Sequence, residues 1–143
     1  MMNMLVAIAL SSAPDTLCDE GCKTPRPEVS HTLVAERIDA LLKAEGLTRA
    51  AKPVITVRRL ELDDNGATAE ALVDVIAPEL CSLAAECPTL IVQLDCNGSL
   101  ATRGHGRWLQ PLSSRSQGWP DLAETMLVPI ATKALKFDGK RYR

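Results

Sequence analysis

The chain has 143 residues, 46% of them hydrophobic and 24% charged, which suits one globular domain and excludes a disordered or fibrous protein. Aromatic residues make up only 3%, so the core must be built mostly from Leu, Val, Ile and Ala. Net charge is −2 and the 16 basic residues are spread along the chain, which argues against nucleic acid as the main partner.

At the N-terminus an apolar run from Met4 to Leu10 gives way to small and polar residues, the order found in a secretory signal. Residues 1–17 are therefore read as a signal peptide, with Ser11 and Ala13 as small cleavage-site residues. No Lys or Arg precedes the run, and a first β-strand is the alternative reading. Nothing approaches the roughly 20 apolar residues needed to cross a bilayer, so no membrane span is expected. Residues 14–29, with Pro14, Pro25, Pro27 and Asp19-Glu20-Gly21, have the composition of a loop.

The clearest helix is predicted over Ser30 to Glu45. Leu33, Val34, Ile38, Leu41 and Leu42 recur on one face, and Glu36, Arg37, Asp39 and Lys43 fill the other. Ser30 is a suitable N-cap and Gly46 a suitable residue just past the end. After Pro53 the period shortens to two, and Val54 to Leu62 reads as a half-buried strand. Asp63-Asp64-Asn65-Gly66 is a turn signal, and Ala69 to Ile76 reads as the return strand, though its first half would also suit a helix; Pro78 stops it. Pro88 to Leu94 reads as a central strand, followed by a turn at Asp95-Cys96-Asn97-Gly98. Three further strands are expected at Ser99–Gln110, Asp121–Val128 and Thr132–Phe137, with Gly104 and Gly106 implying a bulge or bend in the first. The fold class expected is α+β: an N-terminal helix packed on an antiparallel sheet of about five strands, in a single domain over residues 18–143.

Five cysteines stand at Cys18, Cys22, Cys81, Cys87 and Cys96. Their spacing, with only His31 and His105 in support, fits zinc poorly and disulfides better. A Cys81–Cys87 bridge would close a short loop, and Cys18 would join Cys22 or reach Cys96. A short bridged loop contributes roughly 2 kcal/mol in the chain-entropy picture and belongs to an oxidising compartment.

Chemical motifs are few. Asp63-Asp64-Asn65-Gly66 with Glu70 has the look of a calcium loop but lacks further oxygen residues, and a plain hairpin turn accounts for it. His31 and His105 stand in no recognised nucleophile frame. The cationic tail, Lys133, Lys136, Lys140, Arg141 and Arg143, is read as a solvated strand end rather than a phosphate site. In Ser113-Ser114-Arg115-Ser116-Gln117-Gly118-Trp119-Pro120-Asp121-Leu122, Gly118 and Pro120 restrict the backbone around a tryptophan while Asp121 holds the turn. Trp119 is read there as sealing an aromatic-poor core; partner binding by Trp119, together with Trp108 and His105, is the competing role.

Taken in order, these segments resemble a group of small exported bacterial proteins of unknown function. That group runs D-x-N-G-D-G-x-x-E-x-x-V, C-G-x-x-G-C, S-x-x-x-G-W-x-D and a closing F-D-G-x-x-Y. The matching residues are Asp63, Asn65, Gly66, Glu70 and Val73; Cys81 and Cys87; Gly118, Trp119 and Asp121; and Phe137-Asp138-Gly139-Lys140-Arg141-Tyr142. The resemblance spans about residues 54 to 143. It implies export, a Cys81–Cys87 bridge, and a sheet whose corners are the motif residues. The second D-G of the first motif is missing, and Ser82-Leu83-Ala84-Ala85-Glu86 replaces the glycines between the cysteines, which suggests a helical turn.

The expected function is that of a periplasmic or secreted, non-enzymatic protein, without cofactor or metal, that binds another protein in the cell envelope. By analogy of size and compartment, an inhibitor or immunity-type partner of an envelope hydrolase is the form expected. The alternatives are a thiol enzyme using Cys96 with His105, and a cytosolic metal-binding protein using Cys18, Cys22 and other thiols.

Overall fold

The computed structural model describes residues 28–60, 68–82, 86–127 and 130–143. The expected signal segment 1–17, Cys18, Cys22 and the turn at Asp63 to Gly66 lie outside those residues.

Helix α1 (His31–Ala44) starts at Ser30, whose hydroxyl accepts the Leu33 N–H. It ends at Gly46, φ +71°, with the Leu47 N–H bonding back to the Leu42 carbonyl, a Schellman closure. Val34, Ile38, Leu41 and Leu42 of the predicted stripe are buried, with Leu33 at its margin.

Seven strands follow: β1 (Val54–Leu60), β2 (Ala69–Ile76), β3 (Pro88–Leu94), β4 (Leu100–Arg107), β5 (Gln110–Ser116), β6 (Trp119–Leu127) and β7 (Ile130–Leu135). They do not make one sheet. Strands β1 to β4 form a four-stranded antiparallel meander, and β5 to β7 form a separate three-stranded antiparallel sheet. The expectation of an α+β domain with a helix on a five-strand sheet is therefore corrected to a mostly β chain, with one helix among the described residues. Two causes account for the difference. Strand β5, Gln-Pro-Leu-Ser-Ser-Arg-Ser, is exposed along almost its whole length, so it carries no hydrophobic alternation to announce it. The segment expected as one strand, Ser99–Gln110, also breaks at Trp108, where the chain leaves the first sheet for the second.

The layers follow from the period-two alternation of the central strands. Ala71, Val73 and Val75 of β2 and Leu90, Val92 and Leu94 of β3 pack against α1. Between them, Leu72 and Ile91 point the other way, into a second core with Leu109, Trp119, Leu122, Leu135, Phe137 and Tyr142. The four-stranded sheet is thus buried on both faces at its centre, between the helix and the smaller sheet.

The bend expected at the glycines of β4 is a register shift: Ile91 pairs with Gly104 and Val92 with Thr102, leaving Arg103 as the extra residue. The Arg103 carbonyl accepts the Tyr142 N–H at 2.6 Å. This close approach requires Gly104. Its φ is +137°, and a Cβ there would stand 3.1 Å from the Tyr142 Cβ and 3.2 Å from the Tyr142 carbonyl oxygen. Gly104→Ala is expected to lower stability by about 2 kcal/mol in urea unfolding, because both backbone strain and a contact with main chain oppose it.

Cys81 and Cys87 form a disulfide with Cα atoms 4.2 Å apart. Its loop is closed by Ser82 and Glu86, whose backbones bond at 3.1 Å and whose side chains bond at 3.2 Å. Residues 83–85, where a helical turn is expected, lie outside the described residues. No helix among the described residues is long and apolar enough to cross a membrane.

Candidate functional site

The sequence reading singles out Trp119, Trp108 and His105, and the structure places them in different surroundings. Trp119 opens β6 immediately after a two-residue turn in which Gln117 (φ 54°) and Gly118 (φ 81°) both take positive φ, the type I′ pattern that matches strand twist. Its ring stacks on Phe137, with centroids 4.1 Å apart and planes 8° apart, while Tyr142 packs edge-on at 6.0 Å. Only 8% of Trp119 is exposed. Asp121, also buried, accepts the hydroxyls of Ser114 and Ser116 at 2.7 Å each, and these bonds hold its carboxyl below the usual range. Tyr142 completes the corner by donating its hydroxyl to the Pro120 carbonyl at 2.6 Å. The motifs around Gly118-Trp119 and Phe137 to Tyr142 thus meet in one aromatic cluster.

Trp108 is the one aromatic side chain outside that cluster. It links the two sheets with φ 50°, a left-handed conformation rare for a bulky residue. Both neighbours are pinned. The Arg107 N–H donates to Glu124 at 2.8 Å, and its guanidinium donates to the Glu86 carbonyl at 2.8 Å. On the other side Leu109 is fully buried; its N–H donates to the Thr89 hydroxyl, and its carbonyl accepts Arg58 at 2.9 Å. Arg58 is itself fixed by a bidentate pair with Asp74, at 2.8 and 2.9 Å. Strain of this kind persists only where the surroundings over-determine it, and here they do.

The pinned Trp108 is 37% exposed and stands beside an uncovered part of the first sheet. On the face that carries Leu72, the second core reaches β1 at Leu60 and Gln110 of β5 bonds Arg58, but the start of β1 is left open at Val54 (61% exposed) and its cross-strand partner Ile76 (47%). Ile76, Cys87 and Trp108 line a depression of about 460 Å³, together with Thr56, Gln110 and the Arg58–Asp74 pair. A second, about 620 Å³, adjoins it at Ile76 and Cys87 and extends over Val54 and Pro78 to the disulfide.

His105 lies elsewhere, on the helix side of β4. Its Nδ1 is 2.7 Å from Oε1 of Glu45, the residue that caps the C-terminus of α1. Arg141 donates to the same oxygen at 2.6 Å, and the Thr102 hydroxyl donates to Oε2 at 2.6 Å. A carboxylate at a helix C-terminus opposes the helix dipole, and the Glu45 side chain is only 1% exposed. Burial pushes its carboxyl up, but the bonds from His105, Thr102 and Arg141 outweigh burial and hold it below the ordinary range.

Cys96 is engaged in a disulfide, so the thiol-enzyme reading with His105 lacks its free thiolate. The cysteines that the metal reading begins from, Cys18 and Cys22, lie outside the described residues; among the described residues no cluster of three or more His, Cys, Asp or Glu could hold a metal. No family model matches this chain, and no curated protein or solved structure matches it either.

Sequence reasoning passed over Glu45, Arg141 and the Arg58–Asp74 clamp. One signal was present: a glutamate directly before the helix-ending Gly46 sits where a carboxylate is disfavoured, and such a residue needs cationic partners from elsewhere.

Proposed function

We propose that this chain is a small exported protein that works by binding another protein rather than by catalysis, through the apolar face around Trp108. The observation that carries this reading is a partly exposed tryptophan held rigidly at φ 50° beside the uncovered Val54 and Ile76. A rigid exposed aromatic next to apolar hollows is the anchor type that dominates binding energy in protein interfaces, because little conformational freedom is lost on docking. The Cys81–Cys87 disulfide, the engaged Cys96 and the resemblance to exported bacterial proteins support a periplasmic or secreted location. Within that compartment an inhibitor or immunity-type role toward an envelope hydrolase is the narrower form of the proposal.

A photo-crosslinking residue in place of the exposed Thr56, introduced in the native host, tests it. One discrete adduct is expected, lost when Ile76→Asp or Trp108→Ala is added. No adduct, or one indifferent to both substitutions, would remove this face from the account. The backbone at 108 gives an independent readout. Glycine adopts positive φ without steric penalty whereas alanine does not, so Trp108→Gly is expected to be more stable than Trp108→Ala by about 1 kcal/mol in urea unfolding, the reverse of their usual order.

A further inference from the structure

We propose that the depression at the outer edge of β4 is a binding site for a phosphate group, independent of the Trp108 face. It has a volume of about 560 Å³ and is lined by His105, Lys133, Arg141, Arg143 and Glu124, with Leu135 and Tyr142 between them. The cationic tail is thus more than a solvated strand end: the fold gathers part of it around a histidine far away in sequence.

The arrangement is built rather than incidental. Oε1 of the buried Glu45 holds both the His105 ring, at 2.7 Å, and one arm of Arg141, at 2.6 Å. The remaining guanidinium donors of Arg141 and the other ring nitrogen of His105 are thereby fixed in orientation before any ligand arrives. Glu45 lies beneath the surface and does not line the depression, and Asp138, the partner of Arg143, lies outside it. The charged side chains facing the hollow are therefore Lys133, Arg141 and Arg143 against Glu124 alone. One oxygen of Glu124 already accepts the Arg107 N–H, and the residue stands directly opposite Lys133 across the β6–β7 ladder. Donors approach from β4, β7 and the C-terminal turn, three directions that suit a tetrahedral oxyanion better than a planar carboxylate. Glu124 is placed to accept a hydroxyl, either on the phosphate or on the group that bears it. The hollow is larger than a phosphate ion, so a phosphate monoester is the ligand class inferred.

The chain has two histidines, so a His31→Gln variant assigns the remaining ring signal in NMR to His105 and makes it a direct reporter. Titration with inorganic phosphate at constant ionic strength, balanced with chloride, is expected to shift the His105 signal saturably, with half-saturation on the order of 1 mM. Lys133→Gln, and Lys133→Gln with Arg143→Gln, are expected to weaken that response by about threefold and about tenfold, respectively. Both substitutions leave the Glu45 bonds untouched, and thermal unfolding measured alongside reports whether the fold is retained. A response that stays linear in phosphate, or that is equal in the wild type and the folded Lys133→Gln protein, would overturn the proposal. Parallel titrations with glycerol phosphate and with vesicles containing phosphatidic acid tell a soluble ester from a lipid headgroup as the source.

Discussion

Trp119→Ala is expected to destabilise the protein by about 3–5 kcal/mol, the range for truncating a buried aromatic. Domains of this size have a total stability of about 5–15 kcal/mol, so one substitution would remove about a fifth of it at the least. The reason lies in how little aromatic material the chain has. Trp119, Phe137 and Tyr142 form one contiguous cluster in the second core, and no other large ring is near enough to fill the space a missing indole would leave. The loss should also reach the four-stranded sheet, because Tyr142 bonds to Arg103 on β4 through its N–H and to Pro120 on β6 through its hydroxyl. Trp119→Phe keeps a ring against Phe137 and is expected to cost about half as much. Urea unfolding of both variants, followed by far-ultraviolet circular dichroism, is the check. A loss below about 1 kcal/mol for the alanine variant would mean that the indole does not serve the core. Partner binding lost in Trp119→Ala but kept in Trp119→Phe would reflect loss of fold, not of a contact.

What was legible beforehand follows the strength of local physical signals. Helix α1 was readable to within a residue because Ser30 and Gly46 supply side-chain and backbone chemistry specific to helix ends. Strand β3 was readable because burial on both faces gives it a continuous apolar centre, Leu90-Ile91-Val92, and β2 carries a similar run at Ala71-Leu72-Val73. Strand β5 was not. It is an edge strand of the small sheet, exposed from Gln110 to Arg115, where neither pattern nor propensity is required. The division into two sheets was equally hidden, since it depends on Trp108 taking a conformation that its own side chain disfavours. That conformation is imposed by Thr89, Arg58 and Glu124, residues distant in sequence. The same holds for the cluster at Glu45, which joins α1, β4 and the C-terminal turn. Spacing within a segment carries no information about contacts of that separation, and only the oddity of a glutamate at the end of a helix hinted that one was needed.

Removing the Glu45 carboxylate is the second large effect expected. Glu45→Gln should lower stability by about 3 kcal/mol near neutral pH, because it replaces charge-assisted bonds from Arg141 and His105 with weaker ones and leaves a buried amide N–H₂ facing hydrogen-bond donors. The pH dependence distinguishes this from a simple packing defect. The folded-state pKa of Glu45 is lowered from the ordinary value of 4.5, so the native state binds its proton less readily than the unfolded chain does. Its stabilising contribution is therefore complete above that ordinary value and is lost as pH falls through the depressed one. Asp121 and Asp138 also have lowered values, so the wild type and the variant should both weaken in acid. The difference between them isolates Glu45: large from neutral pH down to the ordinary carboxylate value, and shrinking as pH falls further through the depressed one, where the wild-type carboxyl becomes protonated as well. Urea unfolding of both proteins across that range measures it. A difference that stays constant with pH would show that Glu45 acts through shape alone, and the ordering of Arg141 and His105 would then have to come from other contacts. A difference that shrinks on acidification would place the charge of this one buried carboxylate at the junction of helix, sheet and C-terminal turn.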